Sequence, residues 1–121
     1  MQNGRDVLVV EDDDATRSLL AAIVHRNGYR PVEAKDGRSA FVLIEAAKFR
    51  AILLDLLLPE MSGIAILEHL IDKRPDALAH VAIITAAVEW MQRAEVKRAR
   101  TVVPKPFEIE AVERALRLCC E

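Results

Sequence analysis

The sequence predicts an α/β fold in which a parallel sheet is covered by helices on both faces. Three observations carry that prediction. Short apolar runs alternate with amphipathic stretches along the whole chain, five of each. The inner runs, Val7 to Val10, Ala51 to Leu54 and Val81 to Ile84, are continuously apolar rather than alternating, as strands buried on both faces must be. Polar residues then follow four of the runs at once: Glu11-Asp12, Asp55, Thr85 and, after Pro104, Lys105. Parallel strands bring such ends to one edge of the sheet, where open α/β sheets hold their ligands.

Each element has its own warrant. After the β-branched run Val7 to Val10, Asp13 or Asp14 caps a helix reaching about Asn27, with Leu19, Leu20, Ile23 and Val24 on one stripe. Asn27-Gly28 stops it. The strand from Arg30 to Ala34 contains Pro31, which has no amide to donate, so it belongs at a sheet edge. Asp36 caps a helix to about Ala47 that buries Ala40, Leu43 and Ile44. The central strand runs from Ala51 to Asp55. Ser62 then caps a helix carrying Ile64, Leu67, Leu70 and Ile71, which stops before Pro75. Val81 to Ile84 is followed by a weakly amphipathic helix over about Glu89 to Arg98. Thr101 to Val103 is the last strand, closed by Pro104-Lys105-Pro106. The final helix has Ile109, Val112, Leu116 and Cys119 on one face, with Glu110–Arg114 and Glu113–Arg117 at the i,i+4 spacing.

The totals narrow the classes of function. A chain of 121 residues is one domain, residues 1–121, with enough length for a core that needs no staples. It is 52% hydrophobic and 30% charged, and its formal charge of −2 gives no global attraction to nucleic acid or anionic membrane. No apolar run is long enough to span a bilayer, since Asp55 breaks the longest. The start, Met1 to Asp6, has no apolar segment of the signal-peptide kind. Cys119 and Cys120 are adjacent and form neither a disulfide framework nor a metal spacing, which fits a reducing cytoplasm.

A carboxylate closing so apolar a run as Ala51 to Leu54 is costly unless a charge partner or a metal meets it. Converging carboxylates repel one another, and a hard cation removes that repulsion. Mg²⁺ takes one or two carboxylates together with waters and phosphate oxygens. A hydroxyl and an ammonium opposite the acids suit the oxygens of a phosphoryl group. Acids, cation, hydroxyl and lysine together describe an aspartate that accepts a phosphoryl group.

Val9-Val10-Glu11-Asp12, Asp55-x-x-x-Pro59-x-x-x-Gly63, Ile84-Thr85-Ala86 and Lys105-Pro106-Phe107 occur in that order, each on the predicted strand end. In these motifs, and over essentially its whole length, the chain resembles a response-regulator receiver domain of two-component signalling. The resemblance implies a (βα)5, flavodoxin-like, doubly wound sandwich with strand order 2-1-3-4-5. It implies that Asp55 is the phosphoacceptor, taking its phosphoryl group from a histidine kinase, a histidine phosphotransfer protein or a small phosphodonor. Asp12, Asp55 and the main-chain carbonyl of Leu57 would bind Mg²⁺, and Glu11 would reach it mainly through water. Lys105 would pair with the phosphoryl group, and its bond to Pro106 is often cis in the family. Thr85 would move to bond a phosphoryl oxygen and carry the signal outward. The partner of the switched state would be an output domain or downstream protein on the face of helix four, strand five and helix five, with the domain itself a monomer or weak homodimer that binds neither nucleic acid nor membrane. It would be a switch and not a metabolic enzyme.

Two positions depart from the family pattern. An aromatic residue is usual three positions before the lysine, where this chain has Val102, and a small residue is usual seven positions before it, where this chain has Arg98. Both fall on the implied output face. Val102 lends weight to an alternative, a receiver-like interaction module that signals without phosphorylation, although such a module has no need of the full acid–hydroxyl–lysine set. An enzyme reading has less support. Leu57 stands where a haloacid-dehalogenase-type phosphatase needs a second Asp, four acids occupy the place of a flavodoxin's phosphate loop, and no G-x-G-x-x-G or G-K-[ST] stretch exists.

The remaining polar features have plainer readings. His25, His69 and His80 have no metal spacing and read as surface or packing residues. Arg93, Lys97, Arg98 and Arg100 read as a solvated basic face, with an acidic partner as the other option. Trp90 is either a partial core residue or an exposed anchor, and Cys119-Cys120 reads as half core, half frayed terminus.

Overall fold

The computed structural model describes residues 4–121, so the first three residues of the start read above lie outside the described residues. Strands β1 (Asp6–Val10), β2 (Arg30–Ala34), β3 (Ala51–Leu54), β4 (Val81–Thr85) and β5 (Thr101–Pro104) form one parallel sheet in the order β2-β1-β3-β4-β5. This is the predicted strand order. Helices α1 (Asp14–Arg26), α2 (Gly37–Ala46), α3 (Gly63–Lys73), α4 (Ala94–Lys97) and α5 (Ile109–Cys120) lie between and after the strands. The inner strands β1, β3 and β4 are buried at every residue, which is why their sequences are apolar runs. Pro31 sits in β2, an edge strand.

The pleat divides the core into two layers. Leu8, Val10, Ile52, Leu54 and Ile83 point to one face, with Ile44, Ile66, Leu67 and Leu70 from α2 and α3. Val7, Val9, Leu53, Ala82 and Ile84 point to the other, against Leu20, Ile23 and Val24 of α1 and Val112, Leu116 and Cys119 of α5. The predicted caps form: Asp13, rather than Asp14, accepts from the Thr16 amide at 2.9 Å, Asp36 from Ser39 at 2.7 Å, and Ser62 from Ala65 at 3.2 Å. Those amide bonds, of Thr16 to Asp13 and of Ser39 to Asp36, also hold both carboxyls below their ordinary range.

Four details differ from the sequence reading. The helix expected over 89–98 is instead a 3-10 turn, Val88–Trp90, followed by the single turn α4. Neither piece has a side-chain cap, and only Val96 of the segment is fully buried, so too little packing offsets helix nucleation. A further 3-10 turn, Pro75–His80, bridges α3 and β4. Glu113 does not pair with Arg117 but with Arg26 at 2.9 Å and Asn27 at 3.1 Å, tying α5 to α1, and Glu110 and Arg114 form no ion pair among the described residues. Cys119 and Cys120 are both buried, so α5 does not fray there.

Burial pushes the Cys119 thiol up to about 12, with adjacent Cys120 adding to the shift. A thiol so far from its thiolate is inert. The native protein at pH 8 is therefore expected to leave Cys119 unalkylated by iodoacetamide, with full labelling after denaturation, as peptide mass spectrometry would record.

The other features take packing roles. His69 Nε2 lies 2.6 Å from Glu45 Oε2 and its ring meets Phe41 edge-on, His80 Nδ1 lies 2.6 Å from the Cys119 carbonyl, and His25 is exposed. In the basic stretch, Arg93 pairs with Glu95 and Arg100 with Glu121, while Lys97 and Arg98 are exposed. Trp90 is half-buried against the α2–α3 side of the core. No helix among the described residues is long and apolar enough to cross a membrane.

Candidate functional site at the carboxyl edge of the sheet

The sheet's hydrogen bonding continues one step past the strands and fixes the site. The Glu11 amide donates to the Ala34 carbonyl at 3.0 Å, Asp55 to Val10 at 3.1 Å, and Lys105 to Thr85 at 2.9 Å. Glu11, Asp55 and Lys105 are thus each held by a neighbouring strand at the same edge of the sheet.

Asp55 is 5% exposed and Glu11 1% exposed, and unpaired carboxylates at such depth are costly. Lys105 is their partner: its Nζ donates to Glu11 Oε1 at 2.5 Å and to Asp55 Oδ2 at 2.8 Å. The second oxygens are met by main chain, Glu11 Oε2 by the Asp13 amide at 3.1 Å and Asp55 Oδ1 by the Leu57 amide at 3.2 Å. Asp12 is exposed beside them. Burial raises the Glu11 carboxyl above its ordinary range against the pull of Lys105. Burial also presses the Lys105 ammonium down, but the bonds to Asp55 and Glu11 outweigh it and leave the pKa raised, so the lysine stays charged.

One ammonium does not neutralise three acids. Ligand oxygens of Glu11, Asp12 and Asp55 all lie within 4.8 Å of one another. All-oxygen donors with an uncompensated negative charge fit a hard divalent cation of the Mg²⁺ kind. Leu57, which follows in the same turn, is 46% exposed.

Thr85 is fully buried at the same edge. Its carbonyl is engaged by Lys105, while its hydroxyl accepts from the Ala87 amide at 3.2 Å rather than touching the acids. The Lys105–Pro106 peptide bond is cis. Of the residues singled out by sequence, Glu11, Asp12, Asp55 and Lys105 converge directly, and Thr85 stands one bond away through Lys105.

Three contacts that shape the site were not visible in the sequence. Glu11 bonds Lys105 directly, in addition to any role near a metal, because the last residues of β1 are buried on both faces and no alternation marks which acid turns inward. Gly37 opens α2 against the loop after Asp55: its amide donates to Pro59 at 3.1 Å, across a chain separation no local pattern records. Gly63 likewise donates to the Leu56 carbonyl at 3.0 Å, closing that loop at its other end.

Comparison with known proteins agrees with this geometry. The family model for the response regulator receiver domain matches residues 7–117. The chain is 30% identical over 113 residues to sporulation initiation phosphotransferase F of Bacillus subtilis, covering 92% of this chain and 90% of that protein. It is 31% identical over 104 residues to a cyclic di-GMP phosphodiesterase of Thermotoga maritima, covering 86% of this chain but spanning only 28% of that relative's length. In fold it matches the crystal structure of the response regulator TrrA of T. maritima in complex with Mg²⁺-BeF, with a TM-score of 0.85 at 23% identity over 93% of this chain and 96% of that one. With the receiver model matching residues 7–117, on a parallel sheet of this order whose carboxyl edge joins acids and a lysine, the chain belongs to the response regulator receiver family of two-component signalling.

Proposed function

We propose that this domain accepts a phosphoryl group on Asp55, with Mg²⁺ bound, and so switches an output surface formed by α4, β5 and α5. The observation that carries the reading is the Lys105 ammonium bridging Asp55 and Glu11 inside an acidic cluster that retains negative charge. Receiver domains are signalling switches, and this one fits a single unit, residues 1–121, acting as a monomer or weak homodimer in the cytoplasm.

In the transfer, a carboxylate oxygen of Asp55 forms the new bond to phosphorus as the phosphorus–nitrogen bond of a phosphohistidine breaks, and the imidazole leaves with the bonding pair. The donor is a histidine kinase or histidine phosphotransfer protein. A shallow depression lined by Thr16, Leu19, Ala86, Lys105, Pro106 and Phe107 opens beside the site and offers an apolar seat for it. Glu11, Asp12, Asp55 and the Leu57 carbonyl would hold the cation, which when bound supplies charge neutralisation to the phosphoryl oxygens. Lys105 moves its ammonium from the acid pair to a phosphoryl oxygen, and Thr85 turns its hydroxyl to donate to another.

Val102, half-buried where the family has an aromatic ring, favours a second reading as a phosphorylation-independent interaction module. Intact mass after incubation with Mg²⁺ and acetyl phosphate separates the two. One added phosphoryl group on the native chain, and none on Asp55→Asn, supports the switch. No addition, from acetyl phosphate or a partner kinase, supports the module.

Leu57 and Ala87, each two residues past Asp55 and Thr85, carry no polar side-chain group to orient a hydrolytic water. Self-dephosphorylation is therefore expected to be slow. A time course of intact mass after removal of the phosphodonor tests this, and a rapid Mg²⁺-dependent loss of phosphate would contradict it.

A further inference from the structure

The segment after Thr85 joins the site to the only tryptophan of the chain. The Thr85 hydroxyl accepts from the Ala87 amide at 3.2 Å, and the Ala87 carbonyl accepts from the Trp90 amide at 3.0 Å. The Trp90 carbonyl in turn accepts from Arg93 at 3.0 Å, at the start of α4. Trp90 thus sits two hydrogen bonds from the Thr85 hydroxyl. Its ring is half-buried against the core cluster that also takes Val96 of α4, Ala99 and Val102 of β5.

Most of this segment is lightly held. The turn Val88–Trp90 has no side-chain cap, Val88 is 60% exposed, and α4 is a single turn. Ala87, by contrast, is 1% exposed, so its amide depends on a protein acceptor. The Lys105 amide donates to the Thr85 carbonyl at 2.9 Å and so restrains its main chain. The freedom left to it is rotation of the hydroxyl between staggered positions.

We propose that Trp90 takes the part of the aromatic residue absent at Val102. Turning of the Thr85 hydroxyl toward the site releases the Ala87 amide, the uncapped turn re-forms, and the indole moves outward from the α4–β5 side of the core. The inference rests on the reading of Asp55 as phosphoacceptor, and it assigns the moving ring to the β4–α4 connection instead of to β5.

Trp90 fluorescence tests it directly. Native protein, Asp55→Asn and Ala87→Pro are each treated with Mg²⁺ and acetyl phosphate, with emission, iodide quenching and intact mass recorded on the same samples. Proline removes the amide while its fixed φ matches the −80° of Ala87. The native chain is expected to gain a phosphoryl group together with a red shift and stronger quenching, and Asp55→Asn to show neither. Ala87→Pro is expected to be red-shifted before treatment and to shift no further after it gains the group. Unchanged or blue-shifted emission from native protein that mass shows to be phosphorylated would overturn the proposal. So would an Ala87→Pro variant that matches native emission before treatment. Absence of the mass gain itself would instead remove the reading of Asp55, and the proposal with it. Should Ala87→Pro not fold, the native signal alone decides.

Discussion

Gly63→Ala is expected to lower stability by about 3 kcal/mol, and Gly37→Ala by at least as much. Helix propensity argues the other way, because both glycines open helices and alanine there gains up to about 1 kcal/mol. Close approach decides the sign. A Cβ on Gly63 would lie 2.7 Å from the Leu56 Cα and press on the Asp55 carbonyl. A Cβ on Gly37 would meet the Met61 carbonyl and lie 2.8 Å from the Met61 Cβ. The neighbours in each case include main chain, which has no flexible end to yield. Both contacts fall on the loop that follows Asp55, so either alanine displaces the site as it destabilises the fold. Urea titration would show a lower midpoint at unchanged slope. A midpoint equal to or above that of the native protein would mean the loop gives way freely.

Lys105→Met is expected to cost about 2 kcal/mol in the presence of a chelator. Fully buried ion pairs cost more to break, but Lys105 keeps a side-chain exposure of 20% and solvent screens part of the loss. What remains is two buried carboxylates facing one another without a cation. Glu11 is already raised above its ordinary value by burial, so it binds more protons in the folded than in the unfolded state. Its contribution to stability therefore falls as pH rises from 4.5 through the raised folded value. Loss of Lys105 deepens that fall. The variant is expected to recover most of the deficit on acidification through the Glu11 titration, and also on addition of Mg²⁺, which binds the folded acid cluster and not the unfolded chain. A deficit untouched by Mg²⁺ would show that the acids do not hold a cation.

Much of this was legible in the sequence because the relevant physics is local. Continuous apolar runs gave strands buried on both faces, Asp13, Asp36 and Ser62 stood where side-chain oxygens reach the third amide of a helix, and Pro31 marked an edge. The parallel arrangement then carried Glu11, Asp12, Asp55, Thr85 and Lys105 to one edge without further information. What escaped was set by tertiary contact. The 88–97 segment has helical composition but only Val96 to bury in full, so it breaks into two short turns. Glu113 had two eligible partners by charge, and the packing of α5 on α1 chose Arg26 and Asn27 over Arg117. Cys120, one residue from the terminus, is 5% exposed, which position in the chain does not reveal.

The proposed switch requires that the phosphoryl group reside on the carboxyl of Asp55. An acyl phosphate is reduced by borohydride to an alcohol, which turns an aspartate bearing it into homoserine. Native protein treated with Mg²⁺ and acetyl phosphate, then borohydride, would be digested and its peptides read by mass spectrometry. Homoserine at position 55, and nowhere else, is the expected result. Phosphorylated protein that yields homoserine at Asp12, or none at all because the group sits on a histidine, would rule out Asp55 as the phosphoacceptor.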